Sequence, residues 1–195
     1  MSNETTQVAI IMGSDSDLPI VEAAFSILDS FGIKFTKNVM SAHRTPHDVM
    51  ELIKNSEQNG CKVFIAAAGM AAHLAGAVAA HSTKPVIGIP IESGGMGGID
   101  SLLSTAMMPP GVPVATVAVG KSGAKNSAIL AVQILATSDD DLARKLKEYK
   151  ENMRAEDQKI PFLKIANDND PSLGIVAGDI WNNVTNAVYL SLIHI

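Results

Sequence analysis

The chain has 195 residues, enough for one domain with a substantial core. Hydrophobic residues make up 47% and charged residues 18%, which excludes a disordered chain, and a net charge of -5 without a basic stripe excludes a general nucleic-acid or acidic-membrane surface. A single cysteine, Cys61, excludes an internal disulfide and fits a reducing compartment.

Aromatics are only 4%, so the core must be built from Ala, Val, Ile, Leu and Met. The polar start, residues 1–7, carries no leader-like pattern, and no apolar run reaches the roughly 20 residues that span a bilayer. A cytoplasmic protein is the expectation.

Val8–Met12 is a short continuous apolar run and reads as a fully buried strand of a parallel sheet. It ends in Gly13-Ser14-Asp15-Ser16-Asp17. A helix pattern over residues 18–31 follows, with Val21, Ala24, Phe25 and Leu28 on one face and Gly32 as the stop. Strand, Gly/Ser turn and helix form a phosphate-cradle layout. The turn is neither G-x-G-x-x-G nor a P-loop, so dinucleotides and ATP are not supported. Ser and Asp are also ordinary N-caps, and that plainer reading stands beside the first.

Residues 33–40 form a second, less apolar strand nearer an edge. It delivers the chain to Ser41-Ala42-His43-Arg44-Thr45-Pro46. Pro46 suits the first position of a helix over residues 46–59, with Thr45 as its N-cap and Val49, Leu52 and Ile53 on its buried face. His43 and Arg44 then sit at the tip of a strand-to-helix loop, where α/β sheets bind ligands. Arg44 can hold a phosphate or carboxylate bidentately, and an imidazole can move a proton near neutral pH. From this stretch alone, a solvated loop is an equal alternative.

Residues 62–67 form a third strand, with Cys61 a small residue at its edge. Ala68 to Ala80 is a run of tiny residues around one imidazole, His73. It reads as a tight loop entering a closely packed helix, where a histidine usually serves the structure. His47, His81 and His194 have no polar company of this kind and are expected at the surface.

Residues 85–90 form a fourth strand. The loop after it holds Gly94, Gly95, Gly97 and Gly98, so it is either mobile or pressed against a backbone or ligand. A short helix over 101–108, a fifth strand over 112–119, and a helix over 124–136 that is apolar nearly all round come next. That helix is expected to be buried between subunits. A charged helix over 139–154 closes the pattern, with acids early and bases late as its dipole prefers. From Ala166 onward the character changes to a tail of unassigned role.

Alternating apolar strands and helices predict an α/β fold, a parallel sheet covered on both faces. The stretches Gly13 to Asp17, Ser41 to Thr45 and Ala68 to Leu74 all follow strand ends and should face one side of it.

These same stretches, in this order and spacing, resemble the class I N5-carboxyaminoimidazole ribonucleotide mutases of purine biosynthesis. Gly98-Ile99-Asp100-Ser101-Leu102-Leu103 and Gly120-Lys121-Ser122-Gly123-Ala124 continue the likeness, which covers residues 8–149. Ala75 stands where the family often has proline, the loop over 94–98 is richer in glycine than the family's, and the tail matches nothing in it.

The resemblance implies a flavodoxin-like, three-layer α/β/α sandwich. It implies a single domain over 1–165, a homo-octamer with sites between subunits, and a carboxylate shift on a ribonucleotide without metal or organic cofactor. His43 matches the proton-shuttling histidine. Arg44, Ser14 and Ser41 would bind the phosphate, and Asp17, with Ser16 beside it, the ribose. Gly69, Ala71 and Ala72 would line a dry slot for carbon dioxide, Ala68 and Leu74 would also bind the substrate, and His73 would be a lining residue rather than the acid. Two rivals remain. One is the related class II carboxylase, which takes aminoimidazole ribonucleotide and carbon dioxide and is expected to carry Lys-Gly where this chain has Arg44-Thr45. The other is a non-catalytic module that binds a phosphoribosyl ligand.

Overall fold

The computed structural model describes residues 5–157. The tail from Ala166, and His194 within it, lie outside the described residues. The chain divides into two units, Met1–Leu146 and Lys147–Ile195. The first holds the sheet and the helices that pack on it.

Five parallel strands, β1 (Val8–Met12), β2 (Phe35–Val39), β3 (Val63–Gly69), β4 (Val86–Ile91) and β5 (Ala115–Thr116), lie in the order β2-β1-β3-β4-β5. Every residue of β1 and β4 is buried, as an apolar run covered on both faces requires. Half-exposed β2 is an edge. The helices are α1 (Leu18–Phe31), α2 (Pro46–Gln58), α3 (Leu74–His81), α4 (Ile99–Ala106), α5 (Gly120–Ala136) and α6 (Asp140–Asp157).

Strand side chains alternate between faces, and the core divides accordingly. Ala9, Ile11, Phe64 and Ala66 pack with Val49 and Ile53 of α2 and with Leu74, Ala75 and Val78 of α3. Val8, Ile10 and Ile65 point the other way and are fully buried beneath the layer where α1 meets α5. The result is a three-layer α/β/α sandwich. α1 ends where expected: Gly32 takes φ 76°, a left-handed conformation that glycine adopts without a Cβ penalty.

Three expectations change. The fifth strand keeps only two residues of the predicted eight-residue run, because Pro113 has no N–H and β5 is an edge. Past its end, Val117 N–H donates to Gly88 O at 3.1 Å. α5 starts at Gly120, four residues early, and its first turn lies so close to the preceding chain that a Cβ at Gly123 would sit 1.6 Å from Ala118 O. Nor is α5 apolar all round. Gly123, Ala124, Ala128, Ala131 and Leu135 are buried within this chain, while Lys121, Lys125, Asn126 and Gln133 are exposed.

α6 begins beneath a side-chain cap. The Asp139 carboxylate accepts the N–H groups of Asp141 and Leu142, each at 3.1 Å. Among the described residues, no helix is long and apolar enough to cross a membrane.

Candidate active site

The registers Met12↔Val39 and Met12↔Ala67 bring the ends of β2, β1 and β3 level. Two further bonds tie the loop roots together: Gly13 N–H to Ala67 O and Met40 N–H to Met12 O, both 2.9 Å. The three chemically rich loops therefore rise from one sheet edge. They enclose a cleft of about 410 Å³.

The first loop is a capped turn. Ser14 Oγ accepts the Ser16 N–H at 3.3 Å, and Asp17 Oδ2 accepts the Ser14 N–H at 3.1 Å. The two bonds form a reciprocal capping box. Ser16 Oγ donates to Ser14 Oγ at 2.8 Å. Asp17 is only 5% exposed. Burial pushes its carboxyl above the usual carboxylate range; the backbone N–H groups of Ser14 and Gly13 oppose this, and the charge of Asp15 adds to it.

The second loop is cross-tied by two hydroxyls. Ser41 Oγ accepts the N–H groups of His43 at 3.3 Å and Arg44 at 3.2 Å. Thr45 Oγ1 accepts the Ser41 N–H at 3.1 Å and donates to Ser41 O at 3.2 Å. Thr45 is thus the N-cap residue of α2 by position, but its hydroxyl closes the loop and makes no cap bond. His43 and Arg44 are left exposed at the tip. The Arg44 guanidinium reaches across to Gly13 O at 3.4 Å, at the root of the first loop.

The third loop starts later than predicted, because β3 runs on through Gly69. Met70 then takes φ 51°, a left-handed conformation costly for a side-chain-bearing residue. Two tight turns follow, Ala72 N–H to Met70 O at 2.9 Å and His73 N–H to Ala71 O at 2.8 Å. They deliver an exposed His73 to the N-terminus of α3.

There His73 is not a buried structural histidine. Its Nδ1 lies 2.8 Å from His43 Nε2, with the rings edge to face at 73° and 4.9 Å between centroids. One ring must present an N–H and the other a lone pair, so a proton is held between them.

Of the predicted site residues, His43, Ser14, Ser16, Asp17, Ser41, Arg44, Ala68, Gly69, Ala71, His73 and Leu74 line the cleft. Ala72 is 1% exposed and stands outside the lining. Gly13, Ala42, Met70 and Ser93 line it as well. The first three lie inside the motifs already singled out. Ser93 follows β4, a fourth parallel strand that ends at the same edge; counting strand ends would have found it. His47 and His81 are exposed, with His81 Nδ1 2.8 Å from Ala77 O. Among the described residues, no three His, Cys, Asp or Glu side chains gather as a metal ion would need.

The family model described as AIR carboxylase matches residues 7–156. The chain is similar to the N5-carboxyaminoimidazole ribonucleotide mutase of Thermotoga maritima, 52% identical over 150 residues, covering 77% of this chain and 86% of that protein. The protein of the same name from Methanocaldococcus jannaschii is 51% identical over 157 residues, covering 78% and 96%. That of Bacillus subtilis is 52% identical over 147 residues, covering 75% and 91%. Among solved structures, the crystal structure of Treponema denticola PurE superposes with a TM-score of 0.73 at 31% identity, covering 80% of this chain and 96% of that one.

Proposed function

The chain belongs to the AIR carboxylase family, and we propose that it is an N5-carboxyaminoimidazole ribonucleotide mutase, an isomerase of purine (IMP) biosynthesis. It moves a carboxylate from the exocyclic nitrogen of the ribonucleotide to the adjacent ring carbon. The observation that carries the chemistry is the 2.8 Å contact of His43 with His73 in the cleft that also holds Arg44.

The reaction needs one proton moved and no net charge. The carbamate C–N bond breaks and its electron pair returns to nitrogen, which takes a proton; carbon dioxide is released into the slot. The ring carbon then attacks carbon dioxide and gives up its own proton. His43 donates the first proton and removes the second, returning to its starting form. His73 holds the His43 ring in place and fixes which nitrogen bears the proton.

Arg44, Ser14 and Ser41 bind the phosphate. In support, Arg44 reaches from the tip of the second loop to the root of the first, and both serines line the cleft beside it. Asp17 and Ser16 take the ribose side, and Ala68, Gly69, Ala71 and Leu74 form the walls that hold carbon dioxide. No metal or organic cofactor enters this scheme.

We place the enzyme in the cytoplasm as a homo-octamer with sites between subunits. A mutase-like domain spans 1–165, and residues 166–195 are a separate tail. In support of assembly, α4 and the residues that flank it present Met96, Ile99, Leu103 and Met107, each more than half exposed.

Arg44-Thr45 after the histidine and relatives near 50% identity named as mutases favour this reading over the carboxylase. Ultraviolet assays with two substrates test it. Turnover of N5-carboxyaminoimidazole ribonucleotide, with none of aminoimidazole ribonucleotide at low bicarbonate, is the expected result. The reverse preference would make the chain a carboxylase, and binding without turnover of either would make it a ligand-binding module.

A further inference from the structure

We propose that Ser93 is a substrate-contacting residue: its hydroxyl donates a hydrogen bond to the migrating carboxylate and helps retain it as carbon dioxide. The inference rests on the mutase reading above and assigns the carboxylate end of that same cleft.

Ser93 stands two residues past β4 and lines the cleft with Gly69. The two are pressed together. A Cβ built on Gly69 would lie 1.8 Å from Ser93 Oγ, 2.9 Å from its Cβ and 3.2 Å from Ile91 O. The serine hydroxyl therefore fills the place that a side chain at position 69 would take, on the wall assigned to the carboxylate. That hydroxyl is half-buried and has no hydrogen-bond partner among the described residues. A half-buried donor without a partner, on the wall of a ligand cleft, is poised for a ligand acceptor.

The choice of donor also suits the chemistry. A carboxylate held by a cation is stabilised as an anion, which opposes its conversion to neutral carbon dioxide. A hydroxyl orients the same group with a weaker bond. Arg44 is the only fixed cation among the described lining residues, and the phosphate claims it. When the carbamate C–N bond breaks, its electron pair goes to nitrogen, and the freed carbon dioxide keeps an oxygen on the Ser93 O–H. The ring carbon's electron pair then forms the new C–C bond while its proton leaves. Ser93 ends with the proton it began with.

The test uses substrate labelled with carbon-13 in its carboxylate, in buffer containing unlabelled bicarbonate, with products read by mass spectrometry. Wild-type protein should form product that keeps its label. Ser93→Ala should lower kcat about tenfold, the size expected for one lost hydrogen bond to a charged group. It should also release aminoimidazole ribonucleotide and labelled carbon dioxide, which exchanges with the unlabelled bicarbonate pool before the ring is recarboxylated, so that label in the product is diluted. Its Kd for aminoimidazole ribonucleotide, which has no carboxylate, should match that of the wild type, whereas a merely structural loss would weaken it. Ser93→Thr should restore label retention. If Ser93→Ala does not fold, Ser93→Cys, nearly isosteric and a poor donor, carries the same expectation.

Unchanged rate and label in the Ala or Cys variant overturns the proposal, as does a loss of aminoimidazole ribonucleotide affinity equal to the loss of rate. Failure of the underlying mutase reading shows separately, as an inert wild type, and takes the proposal with it.

Discussion

Asp17 is an acid whose folded environment favours its protonated form. Its pKa lies above the ordinary 3.8, mainly because it is buried. The folded state therefore binds more protons than the unfolded state between 3.8 and the raised value, and ionised Asp17 costs stability at neutral pH. Asp17→Asn keeps an acceptor for the Ser14 N–H and removes the buried charge. Urea denaturation should find the variant at least as stable as wild type at pH 7, with any advantage shrinking as pH falls through the raised pKa toward 3.8. A difference that grows on acidification would contradict this. Cys61 is also pushed up, mainly by burial, with its Sγ 3.3 Å from Val63 O. It should resist thiol reagents until the protein is unfolded. At His73, His73→Phe should keep much of the packing but lose the partner nitrogen, lowering kcat about a hundredfold, within the usual span for acid–base groups. An equal change in KM alone would make it a binding residue.

Among the elements, the strand-to-helix joints were most legible, because their punctuation is local. An apolar run, a Gly/Ser/Asp turn and a capped helix place α1 at residues 18–31 without knowledge of the rest, and Pro46 does the same for α2. Gly32→Ala should cost about 1 kcal/mol by denaturation, since φ 76° penalises a Cβ. What the sequence hid depends on partners far along the chain. The His43–His73 pair joins residues 30 apart, and the sequence marks His43 as a proton carrier and His73 as a lining residue without revealing that the two rings meet. Strand ends mark Ser93 as a neighbour of the cleft, but its close approach to Gly69 depends on the register of β3 and β4, which no spacing reveals. β5 is short because a proline meets a sheet edge, and the edge is a property of the fold.

Across the molecule, three loops from strands distant in sequence meet only because right-handed β-α-β crossovers return each strand parallel to the last. The same topology leaves α4 presenting Ile99 and Leu103 outward, with Met96 and Met107 exposed in the segments that flank it. Leu103→Lys should dissociate the proposed assembly, read as a lower mass by sedimentation, while the monomer's helix content stays unchanged. A wild-type monomer in solution would remove that part of the account.

The central claim is that His43 moves the proton of a carboxylate shift. The most direct measurement is ultraviolet turnover of N5-carboxyaminoimidazole ribonucleotide by wild type and His43→Asn, alongside substrate binding by calorimetry. The account predicts that the wild type forms the ring-carboxylated product, while the variant binds the ribonucleotide and loses about a thousandfold in kcat. A variant that turns over as fast as the wild type would contradict it.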